Sequence, residues 1–151
     1  MLGTMCVAPL MVACGPDKND ALTPAGPASV ATAPPAPDNK ISGDEREYSI
    51  HLTARTAKAG DVTFTITNYG TIQHEFLVVK TDIAAGEIPI GSEGRFDEEE
   101  PGIDVVDEIS EFDVDTTQTL ALDLQPGSYQ LVCNIPNHYS KGMYFAFEVL
   151  A

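Results

Sequence analysis

The stretch that decides the fold of this chain is Cys133-Asn134-Ile135-Pro136-Asn137-His138-Tyr139-Ser140-Lys141-Gly142-Met143. It brings a thiol, an imidazole and a thioether into one short segment. A thiolate and two imidazoles, with a weakly held axial thioether, form the donor set of blue-copper electron-transfer sites. Such a site needs a second histidine. The best candidate is His74, which begins the apolar run His74-Glu75-Phe76-Leu77-Val78-Val79.

Short β-strand patterns lie on both sides of this stretch. Val62, Phe64 and Ile66 alternate with threonines, which is typical of a half-buried strand. The other predicted strands are 48–53, 74–80, 117–124, 128–133 and 143–150, with turn signals between them. Because no long amphipathic helix interrupts them, we predict an all-β fold, a Greek-key antiparallel β-sandwich.

Alternation of side chains places the candidate ligands at one end of this sandwich. Cys133 shares a strand face with Leu131, and Met143 shares a strand face with Phe145. Both sulfurs are therefore expected at the core-facing edge of two adjacent strands. His138 lies in the loop between them, where it can fold back over the same end.

The segment from about residue 45 to residue 151 resembles the cupredoxins, the small blue-copper family that includes plastocyanin, azurin and rusticyanin. In that family the first histidine comes from an early strand, and Cys, His and Met come from one C-terminal loop. The resemblance implies that one type 1 copper ion is bound by His74, Cys133, His138 and Met143. Four residues separate Cys133 from His138 and four separate His138 from Met143. This spacing is similar to that of rusticyanin-like and sulfocyanin-like members.

The residues beside the ligands bear on docking and tuning. The resemblance implies that His138 is the partly exposed ligand through which electrons pass. Its apolar neighbours then form either a docking patch or ordinary loop packing: Ile135, Pro136 and Tyr139. Many cupredoxins have Asn or Ser directly after the first histidine, where it links the two ligand loops. Here Glu75 holds that position, and we expect Asn134 to supply the link.

The composition is strongly acidic, with 23 acidic and 8 basic residues and a formal net charge of -15. This charge argues against binding to nucleic acid, which depends on Lys and Arg neutralising phosphates, and against docking on an anionic membrane surface. A redox protein such as a basic cytochrome, or a terminal oxidase, is the expected partner. Acidity that serves solubility alone is the alternative. The length is enough for one domain, and we expect a monomer.

The first 14 residues form an apolar leader that ends in Leu10-Met11-Val12-Ala13-Cys14. Small residues before a cysteine resemble the lipobox of bacterial lipoproteins, which implies that Cys14 is lipidated. A simple cleaved secretory signal is the alternative. In either case we expect the protein outside the cytoplasm, in the periplasm or at the cell surface. Membrane association would be through the lipid anchor alone, because the apolar run is too short to span a bilayer.

The chain is thus predicted to have three parts. Residues 1–14 are the leader, residues 15–44 are a disordered tether rich in Pro and Ala, and residues 45–151 are the copper-binding domain. Inside the domain, residues 82–116 form an acidic insertion that contains Asp97-Glu98-Glu99-Glu100. We predict a solvated loop or short helix for this insertion, with a docking surface for a basic partner as the functional interpretation.

The expected function is that of a one-electron carrier and not of an enzyme. A second copper centre would need more histidines than the three present. Of these, His51 alternates with apolar residues and is predicted to face solvent. A copper-handling or delivery protein, for example for oxidase assembly, is the alternative, although no Met-rich or His-rich exchange motif is found in the sequence. Zinc is a weaker candidate than copper, because structural zinc sites use Cys and His without Met.

Overall fold

A computed structural model describes residues 35–151. The predicted leader, Cys14 and the tether up to residue 34 lie outside the described residues. Nine strands follow in chain order: β1 (Lys40–Arg46), β2 (Ser49–Leu52), β3 (Thr56–Lys58), β4 (Gly60–Asn68), β5 (His74–Lys80), β6 (Asp104–Phe112), β7 (Thr117–Leu124), β8 (Gly127–Val132) and β9 (Tyr144–Leu150). Two short 3-10 helices are Ser92–Gly94 and Tyr139–Lys141.

The strands form two sheets that pack as a β-sandwich, as predicted. One sheet has the order β2-β1-β4-β7 and the other has the order β3-β9-β8-β5-β6. Most neighbouring strands pair antiparallel, as predicted, but β1 pairs with β4 and β3 pairs with β9 in parallel. Neither parallel pair joins strands that are consecutive in sequence, so the turn signals of the sequence could not reveal them.

The core lies between the sheets and follows the predicted alternation. Val62, Phe64 and Ile66 are fully buried, whereas the threonines between them are half-buried. Phe64 meets Phe76 from the other sheet, with ring centroids 5.5 Å apart. Burial of each such side chain contributes about 1.5–3 kcal/mol. These contacts hold the four-stranded sheet against the five-stranded sheet, whose strands β5, β8 and β9 carry or flank the candidate ligands.

Strand structure is found before residue 45, the predicted start of the domain, because β1 begins at Lys40. Asn39 anchors this start, since its side-chain amide donates to the carbonyl of Lys58 at 2.9 Å. Residues 40–46 then pair with β4, and Ile41 and Glu45 point into the core. The prediction of a disordered tether up to residue 44 is therefore wrong for its last residues.

The acidic insertion also differs from its prediction. Its second half is not a loop or a helix but strand β6, which pairs antiparallel with β5. Its first half covers the outer face of β5 and forms a second cluster of apolar side chains: Leu77, Val79, Ile88, Phe96, Val132 and Tyr139. The physical reason is that β5 is apolar on both faces, and the insertion buries the face that the main core leaves open. Within residues 35–151, no helix has the length and apolar character needed to cross a membrane.

Candidate metal centre

The four predicted ligands lie together at one end of the sandwich. His74 begins β5, Cys133 directly follows β8, and Met143 directly precedes β9. His138 lies in the loop between them. All four side chains are buried, with exposed fractions of 0% for His74, Cys133 and Met143 and 4% for His138. The expectation that His138 is partly exposed is therefore wrong.

His138 is the centre of this cluster. Its Nδ1 atom lies 3.6 Å from Sγ of Cys133 and 3.1 Å from Sδ of Met143. Its ring contacts the ring of His74 with centroids 5.1 Å apart and an interplanar angle of 63°. No group of three His, Cys, Asp or Glu side chains among residues 35–151 reaches metal-site spacing by itself. The candidate ligands therefore contact one another in pairs through His138. The Met143 thioether is needed to complete a set of four donors.

The backbone of the loop holds His138 in this place. Cys133 N–H donates to the Met143 carbonyl at 3.1 Å, which closes the base of the loop. Met143 N–H donates to the His138 carbonyl at 3.0 Å, and Lys141 N–H donates to the same carbonyl at 3.2 Å. Gly142 makes the last turn with a φ of 106°, a conformation that favours glycine. The loop is therefore folded by its own hydrogen bonds.

The electrostatics of the cluster fit a soft cation. Both nitrogens of His74 are buried without a hydrogen-bond partner, and the Glu47 carboxylate is 4.0 Å away. Burial lowers the pKa of His74 and of His138, so both imidazoles are neutral at pH 7 and offer lone pairs. Burial raises the pKa of the Cys133 thiol to about 12. A thiolate at this position therefore needs a bound cation to stabilise it.

The two ligand strands are linked by Glu75, directly after His74. Its Oε1 accepts a hydrogen bond from the backbone N–H of Asn134, directly after Cys133, at 2.8 Å. Glu75 thus makes a link across the site, but with the Asn134 backbone. Asn134 is the cross-loop partner, as expected, but it acts through its backbone N–H and not through its side chain. Burial raises the pKa of Glu75 to about 7.

The Asn134 side chain instead fastens the acidic insertion to the ligand loop. Its Oδ1 accepts from the Phe96 N–H at 3.0 Å, and its Nδ2 donates to the Phe96 carbonyl at 3.1 Å and to the Glu98 carboxylate at 2.9 Å. Asn134 is 1% exposed. The insertion and the candidate centre are therefore one packed unit.

The apolar neighbours of His138 are mostly packing residues. Ile135 and Tyr139 are buried, and the Tyr139 hydroxyl accepts from the Ile88 N–H at 3.1 Å. Only Pro136 of the three predicted docking residues is exposed. The docking interpretation is thus wrong for Ile135 and Tyr139. His51 is exposed on β2, as predicted.

Three residues near the site were missed by the sequence reasoning: Glu45, Glu47 and Tyr48. The turn between β1 and β2 places Glu47 beside His74. It also places Tyr48 beside His138, with ring centroids 5.1 Å apart. Gly70 makes room for this arrangement, since a Cβ there would lie 2.5 Å from Cε1 of His74. Of these three residues, only Glu45 had a sequence signal. It lies four residues after Ile41, so in a strand the two side chains share one face, and both are buried.

Glu45 is a buried carboxyl without a partner, and we expect it to lower stability as pH rises. Its two oxygens have no hydrogen bond, and burial, followed by repulsion from Glu75, raises its pKa well above the usual value. The folded state therefore holds this proton more tightly than the unfolded state. The stability is highest below the unfolded pKa and falls as pH rises from there towards the folded pKa. In the copper-free protein, Glu45→Gln removes this ionisation, so the free energy of unfolding should fall less between pH 5 and pH 8 in the variant than in the parent protein.

Urea unfolding of the copper-free protein at pH 5 and pH 8 measures this effect. The matched control is Glu99→Gln, which removes the same charge at an exposed position. We expect the control to leave the difference between the two pH values as in the parent protein. A Glu45→Gln variant with the same pH dependence as the parent would contradict the assignment.

Comparisons with known proteins agree with this architecture. No protein-family model and no curated protein sequence matches the chain. The structure is similar to that of an auracyanin from the photosynthetic bacterium Roseiflexus castenholzii, with a TM-score of 0.55, 20% identity, and coverage of 75% of this chain and 98% of that one. Auracyanin A of Chloroflexus aurantiacus, described as a blue copper protein, has a TM-score of 0.54 and 21% identity, with coverage of 73% of this chain and 97% of that one. Reduced rusticyanin has a TM-score of 0.53 and 17% identity, with coverage of 73% of this chain and 77% of that one.

The fold and the buried cluster together define a β-sandwich that carries two histidines, a cysteine and a methionine at one end. This sandwich is the cupredoxin fold, which the chain shares with the auracyanins and rusticyanin. The sequence-based prediction of a cupredoxin-like fold is confirmed.

Proposed function

We propose that this protein is a mononuclear type 1 copper protein that carries single electrons between redox partners outside the cytoplasm. The observation that carries the proposal is the buried position of His138 Nδ1 close to the sulfurs of Cys133 and Met143. Beside it lies the His74 ring, whose two nitrogens have no hydrogen-bond partner. Two imidazoles, one thiolate and a weak thioether are the donors of such sites. The similarity in fold to a protein described as a blue copper protein supports the same assignment.

Each of the four residues has a definite part in holding the ion. Cys133 would bind as a thiolate after losing its proton, and His74 and His138 would bind through neutral ring nitrogens. Met143 would contribute a weakly held thioether sulfur. Copper bound there supplies a change between Cu(I) and Cu(II), which is a transfer of one electron. The self-closed loop and the Glu75 link hold the protein ligands in one geometry, so little must move when the charge changes.

Addition of Cu(II) to the purified protein tests the proposal. We expect one ion per chain and an intense visible absorption from the thiolate-to-copper charge transfer, which disappears on reduction and returns on oxidation. Bound copper without this absorption would contradict a type 1 site. Rapid loss of Cu(I) to a competing chelator, with no reversible oxidation, would favour copper delivery over electron transfer.

The location and the partner complete the proposal. The leader with Cys14 supports a periplasmic or cell-surface protein held by a lipid anchor. The net charge of -15 supports a basic redox partner. One of the acidic residues, Asp113, lies beside the candidate site. It directly follows Phe112, which pairs with His74 across β5 and β6. Asp113 is exposed and accepts a hydrogen bond from Gln73 at 2.8 Å.

Electron transfer from the reduced copper protein to a basic c-type cytochrome should therefore depend on salt. Opposite charges steer encounter and raise association rates, by a factor on the order of 10–1,000 at low ionic strength. The Debye length falls to about 10 Å at 0.1 M salt, which screens this attraction. We expect the second-order rate constant to fall at least about tenfold from low to high salt. Stopped-flow measurement over that range checks the expectation, and a flat profile would remove electrostatic docking.

A further inference from the structure

Tyr48 has an unusual backbone conformation next to the candidate centre. Arg46 pairs with Ser49, so Glu47 and Tyr48 form a two-residue turn between β1 and β2. Tyr48 has a φ of 65°, whereas Glu47 is not among the residues with positive φ. A turn of this kind favours Gly or Asn at its second position. A bulky residue in the left-handed region is strained, so turn chemistry does not explain the tyrosine.

The ring of Tyr48 connects His138 with the surface. It lies edge-on to the His138 ring with centroids 5.1 Å apart and an interplanar angle of 63°. His138 contacts His74 in the same way on the inner side. Tyr48 is 41% exposed, whereas His138 is 4% exposed. A protein that approaches this end of the sandwich can therefore touch the Tyr48 ring more readily than the histidine.

The ligand loop holds Tyr48 in place. Lys141 is the last residue of the 3-10 helix that begins directly after His138. Its Nζ donates a hydrogen bond to the Tyr48 hydroxyl at 3.1 Å. The same ammonium lies over the Tyr48 ring, 4.7 Å from its centroid. A hydrogen bond and a cation–π contact from one lysine restrict the ring at a half-exposed position. The strained turn and the lysine thus fix the tyrosine against the histidine from both sides.

We propose that Tyr48 is the electron-transfer contact of this protein, an inference that rests on the proposed copper function. With copper held by the four candidate ligands, one electron would pass from a reduced one-electron redox protein across the Tyr48 ring and His138. The partner would be oxidised by one electron, and Cu(II) would be reduced to Cu(I). The tyrosine is neither oxidised nor reduced, no bond forms or breaks, and no proton moves. Electronic coupling decays steeply with the gap between donor and acceptor. A ring in contact with the buried histidine shortens that gap.

The test measures electron exchange between oxidised and reduced copies of the copper-loaded protein, by NMR line broadening at high ionic strength. High salt screens the repulsion between two acidic copies. The variants are Tyr48→Ala, Tyr48→Leu and Tyr48→Phe, with Tyr69→Ala as matched control. Tyr69 is 51% exposed and carries Arg46 over its ring at 5.3 Å. Among the described residues, the only ring contact of His138 with a tyrosine is that with Tyr48.

We expect Tyr48→Ala and Tyr48→Leu to lower the exchange rate on the order of tenfold. Both variants remove the aromatic ring that would contact the partner, and such aromatic residues dominate protein contacts. Tyr48→Phe should restore most of the rate, and Tyr69→Ala should change it far less. The visible absorption should be unchanged in every variant. An unchanged or faster rate in Tyr48→Ala or Tyr48→Leu would overturn the inference and make Tyr48 a cover over His138. Absence of visible absorption in the parent protein would instead overturn the proposed copper function.

Discussion

Replacement of Cys133 by serine is expected to abolish the visible absorption of the copper-loaded protein. The absorption requires a thiolate bound to Cu(II), and a serine hydroxyl is a harder donor with a much higher pKa. Cys133 is fully buried, with Sγ 3.6 Å from His138 Nδ1. It is the only cysteine in the described part of the chain, so no other thiol there can substitute for it. We expect Cu(I) affinity to fall by more than the ~10–100-fold that is typical of losing a residue that only supports a ligand.

Met143→Leu is the matched control for this variant. It removes the other sulfur at the same end of the sandwich and keeps the buried volume, so the fold should remain intact. We expect the visible absorption to persist with a changed reduction potential, because the axial ligand tunes the potential. Absorption spectra and redox titration of both variants measure the difference. A blue Cys133→Ser protein would contradict the ligand assignment.

Replacement of Asn134 by alanine is expected to cause the second large effect, on stability. The variant loses all three side-chain hydrogen bonds and leaves the buried N–H and carbonyl of Phe96 without partners. An unsatisfied buried polar group costs about 1–3 kcal/mol. We therefore expect the free energy of unfolding to fall by roughly 2–5 kcal/mol, with the insertion released from the ligand loop first.

Denaturant unfolding and hydrogen exchange measure this release. Hydrogen exchange should show the loss first at the Phe96 amide and its neighbours. The matched control is Gln73→Ala, which removes an amide that also joins two segments but at an exposed position, where it donates to Asp113 at 2.8 Å. We expect a loss of less than about 1 kcal/mol there. Equal losses in the two variants would mean that the Asn134 side chain does not fasten the insertion.

The strands that the sequence predicts well are those whose pattern is local. β4 alternates apolar residues with threonines, and β8 and β9 alternate towards one core, so burial on one face determines their register. β1 was missed because Ser42, Gly43 and Asp44 give it no apolar pattern. Its strand conformation comes from pairing with β4, a contact between distant parts of the chain.

The candidate site divides in the same way. The sequence predicts His74, Cys133, His138 and Met143 as candidate ligands because their chemical types and spacing are informative on their own. The structure brings these side chains together. Tyr48 could not be predicted in this way, since its role comes from a turn that the three-dimensional fold brings against the ligand loop. Glu75 was noticed as a departure from the family pattern, but its bond to the Asn134 backbone needs coordinates.

The acidic strand β6 has a further consequence for solubility. It is nine residues long and lies at the end of its sheet in the described part of the chain, with β5 as its partner on one side. A long open edge of this kind is a template for aggregation between copies. Asp107, Glu108 and Glu111 are exposed along it, so a second copy paired edge to edge would bring like charges together. These carboxylates therefore disfavour edge-to-edge pairing between copies of the sheet.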